Sequence, residues 1–438
     1  MDINEKYKLA NLAMEHALKN GADQVSVSIS DSRNSEIEIL NQKIDKLTES
    51  IRNTLSIELY IEKKYSAHST SRLKKEDLFR FIEEAIASTR YLAEDEFRSL
   101  PDTELYYKGG APDLKTIDPG LDAVDAKNKI DLANQILNEA YQKDNRIISV
   151  TSNYSDNISN VVMVTSNGFK GDFSNSSVSI YTEVSVKDEQ GRPSDYWYEN
   201  AIFFDKLKKT DIGKKALERT LQKLGSKKIA SGKYPVIIEN RTASSIMRPL
   251  YSALSGSSIY QKQSFLAGKA GKPVASKLLT IHDDPFIISG AGSRLFDYEG
   301  LAAVKRPVIE NGILRNYYID TYYGKKLKMN PTSAGSSNVV FNTGTRDMQA
   351  MISTMKKGIV ITGFNGGNCN GSTGDFSYGI EGFYVEKGKV VHAINEMNIS
   401  GNMNDFWFNL IEVGNDIMEN ESIRTPSLMF DNIDFSGI

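Results

Sequence analysis

The spacing of apolar residues in the first half of the chain predicts helices separated by groups of alternating strands. Residues 75–91 repeat at helical spacing, with Leu78 and Ile86 on one face. A strand is predicted where Ile37 and Ile39 alternate with polar residues. The same patterns predict further helices between Asp2 or Asn4 and Gly21, at 124–142 and at 212–224, and strands at 25–29, 36–40, 55–61, 147–153, 160–165, 169–173 and 177–186.

This order of a helix, several antiparallel strands and another helix is typical of the α+β class. A chain of 438 residues is long for one core, which favours two domains. We expect an N-terminal domain of antiparallel strands and long helices at residues 1–225, a linker at 226–233, and a strand-rich C-terminal domain with short helices at 234–438. The short helices are predicted at 242–254, 347–357 and 404–413.

A dense cluster of glycines lies between residues 363 and 388. Such density indicates backbone that adopts positive φ or that allows another chain to approach closely. A phosphate-binding loop is disfavoured, because Gly371-Ser372 lacks the neighbouring lysine and no helical pattern follows. Turns between strands are the better interpretation, and hairpin turns are predicted at 167–168, 311–312 and 387–388.

Net charge, cysteine content and hydropathy limit the kinds of partner and the compartment that this chain fits. The net charge of −3 favours neither nucleic acid nor an acidic partner. Cys369 is the single cysteine, so no intramolecular disulfide can form and a reducing compartment fits. The N-terminus shows no basic segment followed by an apolar run, and no apolar stretch is long enough to span a bilayer. We therefore expect a cytoplasmic protein without membrane or direct nucleic-acid contact.

Several short motifs occur in a fixed order after residue 234. They are Phe-Asp-Tyr-Glu-Gly at 296–300, Asn-Gly-Gly at 365–367, Thr-Gly-Asp-Phe-Ser at 373–377, Gly-Phe at 382–383, Ile-Ser-Gly-Asn at 399–402 and Val-Gly-Asn-Asp at 413–416. Together they resemble the TldD/PmbA family, and more closely its PmbA branch, also called TldE. The resemblance extends over essentially the whole chain. It implies a subunit of a zinc metallopeptidase system that cuts unfolded or short peptides.

The resemblance also implies where a metal would lie. In the TldD branch a helix carries His-Glu-x-x-x-His, whose imidazoles hold zinc while the carboxylate activates water. Here Met247 and Ser252 occupy the histidine positions and Arg248 the glutamate position. These residue types do not suit zinc, and the region of Thr425 lacks the cysteine that supplies a third ligand. We expect no catalytic residue, metal or cofactor on this chain, and zinc on a TldD-like partner.

Other residues do not suggest an alternative metal or catalytic site. His282, Asp283 and Asp284 are adjacent in an extended segment, so their side chains point in opposite directions. No histidine lies near Cys369 in the sequence, which favours a small buried residue over a nucleophile. Asp297 and Glu299 share a face of a predicted strand without other convergent groups, so we interpret them as structural.

The leading hypothesis is therefore a PmbA/TldE-like subunit that pairs with a TldD-like paralogue, or with itself as a homodimer, and handles a peptide substrate. An independent hydrolase with an unrecognised site and a regulatory factor acting on DNA gyrase or its inhibitors are the alternatives. The glycine excess predicts a surface that faces the peptide or the partner. Its residues are Gly366, Gly367, Thr373, Gly374, Asp375 and Phe376.

Overall fold

The computed structural model describes residues 1–189 and 191–437. The α-helices are α1 (Ile3–Lys19), α2 (Lys75–Thr89), α3 (Ala126–Asn138), α4 (Ile212–Gln222), α5 (Asn240–Ala253), α6 (Gly256–Tyr260), α7 (Thr321–Leu327), α8 (Met348–Thr354) and α9 (Met403–Phe406). The strands of the first half are β1 (Gln24–Leu40), β2 (Lys43–Ile61), β3 (Lys64–Thr70), β4 (Ile147–Thr165), β5 (Lys170–Val186) and β6 (Ser194–Ala201).

The strands of the second half are shorter on average. They are β7 (Gly232–Ile238), β8 (Ile281–Asp283), β9 (Arg306–Glu310), β10 (Ile313–Leu314), β11 (Val339–Phe341), β12 (Lys357–Cys369), β13 (Asp375–Glu386), β14 (Lys389–Asn402), β15 (Leu410–Val413), β16 (Ile423–Arg424) and β17 (Leu428–Ser436). The predicted α+β class is confirmed, with an N-terminal antiparallel sheet and a strand-rich C-terminal region.

The N-terminal sheet has the order β3-β2-β1-β4-β5-β6, and every neighbouring pair is antiparallel. Three pairs of short predicted strands are in fact the single long strands β1, β4 and β5. The sequence pattern did not predict β1 as one strand, because the residues in its middle are polar. Asp31 pairs with Lys6 and Arg33 pairs with Asp122, so the strand can continue through polar sequence.

Helices cover one face of this sheet in two apolar clusters. Helices α1 and α2 pack over one half, and α3 and α4 pack over the other. A buried ion pair lies under α3, where Lys129 Nζ is 2.6 Å from Asp156 Oδ2 and both side chains are 2% exposed. The Tyr154 hydroxyl also donates to Asp156. The helices α3 and α4 are a few residues shorter at their ends than predicted.

The strands β14-β13-β12-β7-β17-β15 form the main C-terminal sheet. Because β14 also pairs with β17, five of these strands close into a ring. Its interior is filled by a large apolar cluster to which α5 contributes Ile246, Met247 and Leu250. A smaller sheet, β10-β9-β8-β11-β16, adjoins this core.

The predicted hairpin turns are present. Asn311 and Gly312 have φ of 49° and 76°, and Lys387 and Gly388 have φ of 53° and 73°. Two consecutive positive φ values are typical of the type I′ turn, which matches the twist of the flanking strands. Gly168, with φ of 105°, closes the turn between β4 and β5.

The predicted helix at 404–413 is wrong over most of its length. Only Met403–Phe406 is α-helical, and Leu410–Val413 is strand β15, paired with β17. The apolar residues Phe406, Trp407 and Leu410 fit helical spacing, but residues 410–413 instead pair with β17, which also pairs with β7. The strand β7 begins at Gly232, inside the predicted linker, and the division into two domains stays a prediction.

No helix in the two described ranges is long and apolar enough to cross a membrane.

Candidate functional site

A cleft of about 430 Å³ separates α5 from the second half of β12. β12 pairs with β7 only from Ile359 to Ile361. β7 ends at Ile238, and the chain continues as α5 from Asn240. The hydroxyl of Thr242 on α5 donates to the carbonyl of Thr362, which fixes the start of the helix beside the strand. The cleft is lined by Ser245, Ile246, Arg248, Pro249, Ser252, Phe364, Gly366, Gly367, Cys369, Gly371 and Tyr378.

One side of residues 363–369 of β12 is open to this cleft. Their other side pairs with β13, through a register interrupted at Gly363 and again before Gly367. No strand within the described parts of the chain pairs with the side that faces α5. Main-chain groups of β12 therefore border the cleft without a strand partner.

The helix α5 places the three residues at the implied metal positions in different surroundings. Met247 is fully buried in the core of the C-terminal half. Arg248 and Ser252 are exposed and line the cleft. Arg248 and Ser252 are four residues apart and share the face of α5 that borders the cleft, whereas Met247 is buried away from the cleft lining. The predicted positions are thus only partly brought together.

Thr425 lies elsewhere. It is 1% exposed, and its hydroxyl donates to the carbonyl of Asn240, at 2.7 Å, at the first residue of α5. Asn240 and Met247 are separated by about 10 Å along the helix axis, at 1.5 Å per residue. Thr425 therefore closes the helix start and does not border the cleft.

The donor set at the cleft does not fit a zinc ion. A guanidinium stays protonated and repels a cation, and neither a serine hydroxyl nor a methionine facing the core is a suitable ligand. Among residues 1–189 and 191–437, no three His, Cys, Asp or Glu side chains are grouped as metal ligands would be. Asp283 is instead buried and accepts bonds of 2.6 Å from the backbone and hydroxyl of Ser337.

Cys369 also lines the cleft, although its thiol is not activated. Burial, with the charge of Asp375, raises the pKa of this thiol. A raised pKa lowers the thiolate fraction at neutral pH, and the thiolate is the nucleophilic form. Burial likewise raises the pKa of the neighbouring Tyr378 hydroxyl to about 12, so Tyr378 stays neutral.

The glycines at 366 and 367 are part of the cleft wall. Gly366 and Gly367 have φ of 86° and 108°, a region that residues with a Cβ rarely adopt. A Cβ on Gly367 would lie 2.2 Å from the carbonyl oxygen of Ser377. The two glycines therefore form the bulge that turns β12 aside at the cleft.

The motif at 373–376 forms a separate, closed turn. The Asp375 carboxylate accepts bonds from the Thr373 hydroxyl and the Asn402 amide, at 2.7 Å each, and these bonds lower the pKa of Asp375. Asn404 and Asn402 both donate to the Thr373 carbonyl. The Ile-Ser-Gly-Asn motif thus supports the Thr-Gly-Asp motif.

Phe376 does not belong to an exposed surface. It is 5% exposed and packs against Phe406 and Tyr378 in the core. Its motif neighbours Thr373 and Asp375 are exposed. The predicted surface therefore divides into three parts. Gly366 and Gly367 line the cleft, Thr373 and Asp375 are exposed in a turn outside the lining, and Gly374 and Phe376 are buried.

We expect Gly374→Ala to lower the free energy of unfolding by about 1–2 kcal/mol. Gly374 has φ of 85°, and an added Cβ would lie 3.0 Å from Asn402 Oδ1 and 3.3 Å from Phe265 Cγ. Denaturant unfolding would measure the loss. The control is Gly335→Ala, because nothing lies within 4 Å of a Cβ there and its φ is not positive. Equal stability of the two variants would contradict a strained turn.

Sequence reasoning did not identify Ser245, Phe364 or Tyr378 as part of the site. Phe364 and Tyr378 flank the glycine motifs, so an aromatic residue beside a glycine bulge was the available signal. Ser245 lies one turn before Arg248 on α5 and could have been found from helical spacing.

Known proteins and family models of one family match this chain, and the relatives align over essentially its whole length. A family model for the PmbA/TldA metallopeptidase C-terminal domain matches residues 231–437, and the central-domain model of the same family matches residues 119–224. The chain belongs to the PmbA/TldD metallopeptidase family. The resemblance inferred from its motifs is thereby confirmed.

Individual relatives agree with this assignment. The chain is 29% identical to the Haemophilus influenzae metalloprotease PmbA homolog, covering 99% of this chain and 96% of that protein. It is 44% identical, with a TM-score of 0.98 and full coverage of both chains, to a Bacteroides thetaiotaomicron protein crystallised as a candidate modulator of DNA gyrase. TldE from Thermococcus kodakarensis, 20% identical, covers 98% of this chain and 100% of that chain with a TM-score of 0.86, and so shares the fold.

Proposed function

We propose that this chain is a PmbA/TldE-like, non-catalytic subunit of a TldD-type zinc metallopeptidase that cuts unfolded or short peptides. The observation that carries the proposal is the face of α5 at the cleft. Arg248 and Ser252 line the cleft and Met247 faces the core, so the helix offers no set of zinc ligands. The zinc would be carried by a TldD-like partner chain.

A role in holding peptides is supported by the open side of β12. An extended peptide can bind beside an unpaired strand edge by main-chain hydrogen bonds, which select little for sequence. Weak selection suits a system that handles unfolded chains. Pro249 leaves one further main-chain acceptor beside the cleft. It has no N–H, so the carbonyl of Ser245 lacks its helical donor. Both residues border the cleft.

The purified chain is expected to contain much less than one zinc ion per molecule, and to hydrolyse peptides only when a TldD-like chain is added. The reason is that Met247, Arg248 and Ser252 on α5 do not form a set of zinc ligands. Elemental analysis of the chain, before and after dialysis against zinc, is the measurement. Close to one retained zinc per chain, with hydrolysis by the chain alone, would support an independent hydrolase instead.

Filling the cleft is expected to weaken peptide binding by about tenfold or more without affecting folding. Ser252→Trp places an indole against Pro249 and Gly371 in the lining, where it would exclude a peptide backbone. Fluorescence anisotropy of a labelled, unstructured peptide would measure the dissociation constant, with or without the partner chain.

The matched control for this variant is Ser71→Trp, at an exposed serine that is absent from the cleft lining. Thermal unfolding should be unchanged in both variants, because both positions are exposed. Unaltered peptide affinity in Ser252→Trp would show that the cleft is not the binding surface.

A further inference from the structure

The cleft carries a charge that the rest of its lining does not balance. Arg248 is the single ionised side chain at neutral pH among the lining residues of the described chain. Within the described ranges, no hydrogen bond or ion pair joins its guanidinium to another residue. By contrast, its neighbour on the same helix, Arg241, has ion pairs with Asp195 and Glu239.

The surroundings of Arg248 are suited to an anion of modest size. Ser245 and Ser252 lie three residues before and four residues after it, so both hydroxyls share its face of α5. Across the cleft, Phe364 and Tyr378 supply aromatic walls at a ring-centroid separation of 5.6 Å. A volume of about 430 Å³ is within the usual range for ligand clefts.

We propose that Arg248 binds a carboxylate of the ligand in this cleft. A guanidinium presents parallel N–H donors that match the two oxygens of a carboxylate, and partial removal from water strengthens the pair. The hydroxyls of Ser245 and Ser252 complete the donor set. This inference rests on the proposed function, in which the ligand is a peptide. The carboxylate is then either the peptide C-terminus or an acidic side chain.

The residue type at position 248 differs from that of the TldD motif in the sign of its charge. At the position of Arg248 the TldD motif has a glutamate, which would repel a carboxylate. A cation in the same place attracts a carboxylate instead. The open side of β12 would hold the peptide backbone, while Arg248 determines which charged group lies opposite it.

The test uses four versions of one labelled, unstructured peptide with the full-length chain. They combine a free or amidated C-terminus with an aspartate or asparagine at one internal position. We expect versions with a carboxylate to bind about tenfold tighter than the neutral peptide, with the difference decreasing at high salt. Tighter binding of the peptides with a free C-terminus would identify the terminal carboxylate as the group that Arg248 binds. Tighter binding of the peptides with aspartate would identify the side-chain carboxylate.

Variants of Arg248 assign the preference to this residue. Arg248→Gln should abolish it, Arg248→Lys should retain part of it, and the exposed Arg72→Gln should leave it intact. Equal affinity of all four peptides for the wild-type chain would overturn the carboxylate site while leaving peptide binding supported. A full preference in Arg248→Gln would also overturn it.

A second measurement does not depend on peptide binding. The side-chain Nε–H resonance of Arg248, assigned by its loss in Arg248→Lys, is followed during titration with N-acetylglycine or its amide. A shift with the acid alone supports the carboxylate site even if no peptide binds, in which case the proposed function fails separately. No difference between acid and amide would overturn the inference.

Discussion

Replacing Asp195 with asparagine is expected to lower the free energy of unfolding by about 3–5 kcal/mol. Asp195 is 4% exposed and lies 3.1–3.3 Å from Arg241, Lys223 and Arg219. Burial by itself would raise the pKa of Asp195, but these three cations outweigh burial and lower it. The asparagine keeps the shape and removes the charge, leaving three cations poorly neutralised.

This network connects the two halves of the chain. Asp195 is on β6 and Arg219 is on α4, whereas Glu239 precedes α5 and accepts two bonds from Arg219 at 2.7 and 2.9 Å. Lys223 extends the network to Glu381 on β13. Loss of Asp195 should therefore also loosen the helix that borders the cleft.

Denaturant unfolding measures this loss, and Asp205→Asn is the matched control. Asp205 pairs with Lys206 at 3.2 Å, but the two side chains are 70% and 75% exposed. An exposed pair of this kind contributes about 0–1 kcal/mol. If Asp195→Asn cost no more than Asp205→Asn, the buried network would not stabilise the fold. Because the pKa of Asp195 is lowered on folding, its contribution should disappear as pH falls through that lowered value.

Glu299→Gln is expected to stabilise the protein by about 2 kcal/mol at pH 8–9 and to have little effect at pH 5. Burial, followed by the charges of Asp297 and Asp320, raises the pKa of Glu299 from 4.5 to about 8. Bonds from the backbone and hydroxyl of Thr321, at 2.9 and 3.2 Å, act in the opposite direction but do not compensate.

The direction of the pH effect follows from proton uptake. The folded chain holds a proton on Glu299 between about pH 5 and 8, where an unfolded glutamate is ionised. Wild-type stability should therefore decrease as pH rises through this window, and glutamine should remove that part of the decrease. The expected stabilisation is smaller than the whole change in pKa would give, because the Glu299 side chain is only partly buried and solvent screens its charge.

The measurement is the midpoint of urea unfolding at several pH values, with Glu94→Gln as the control at an exposed glutamate. Parallel pH profiles for the wild type and Glu299→Gln would show that Glu299 is ionised throughout. The residue was interpreted from the sequence as structural. Its bonds to Thr321 at the start of α7 are consistent with that interpretation, but its titration could not be foreseen, because Asp320 approaches it only in the folded chain.

Local patterns predicted most elements because helix and strand periodicities reflect which side of an element is buried. Helices α2 and α5 are within two residues of their predicted ends, and the hairpin turns at Asn311-Gly312 and Lys387-Gly388 follow from turn chemistry. The long strands were divided in the prediction because their middle residues are polar. Ion pairs such as Lys6–Asp31 on β1 and Lys129–Asp156 on β4 accommodate such residues, and a periodicity argument does not include these pairs. Helix 404–413 failed because pairing with a distant strand outweighed local spacing.

By itself the sequence determined the family, the α+β class and the residue types at the implied metal positions, because these depend only on residue identity and order. The tertiary structure decided which residues share a surface. It turns Met247 and Phe376 into the core, leaves Arg248 and Ser252 facing β12, and places Thr425 at the start of α5. These outcomes depend on closure of the C-terminal strands into a ring, which is set by contacts between residues far apart in the chain.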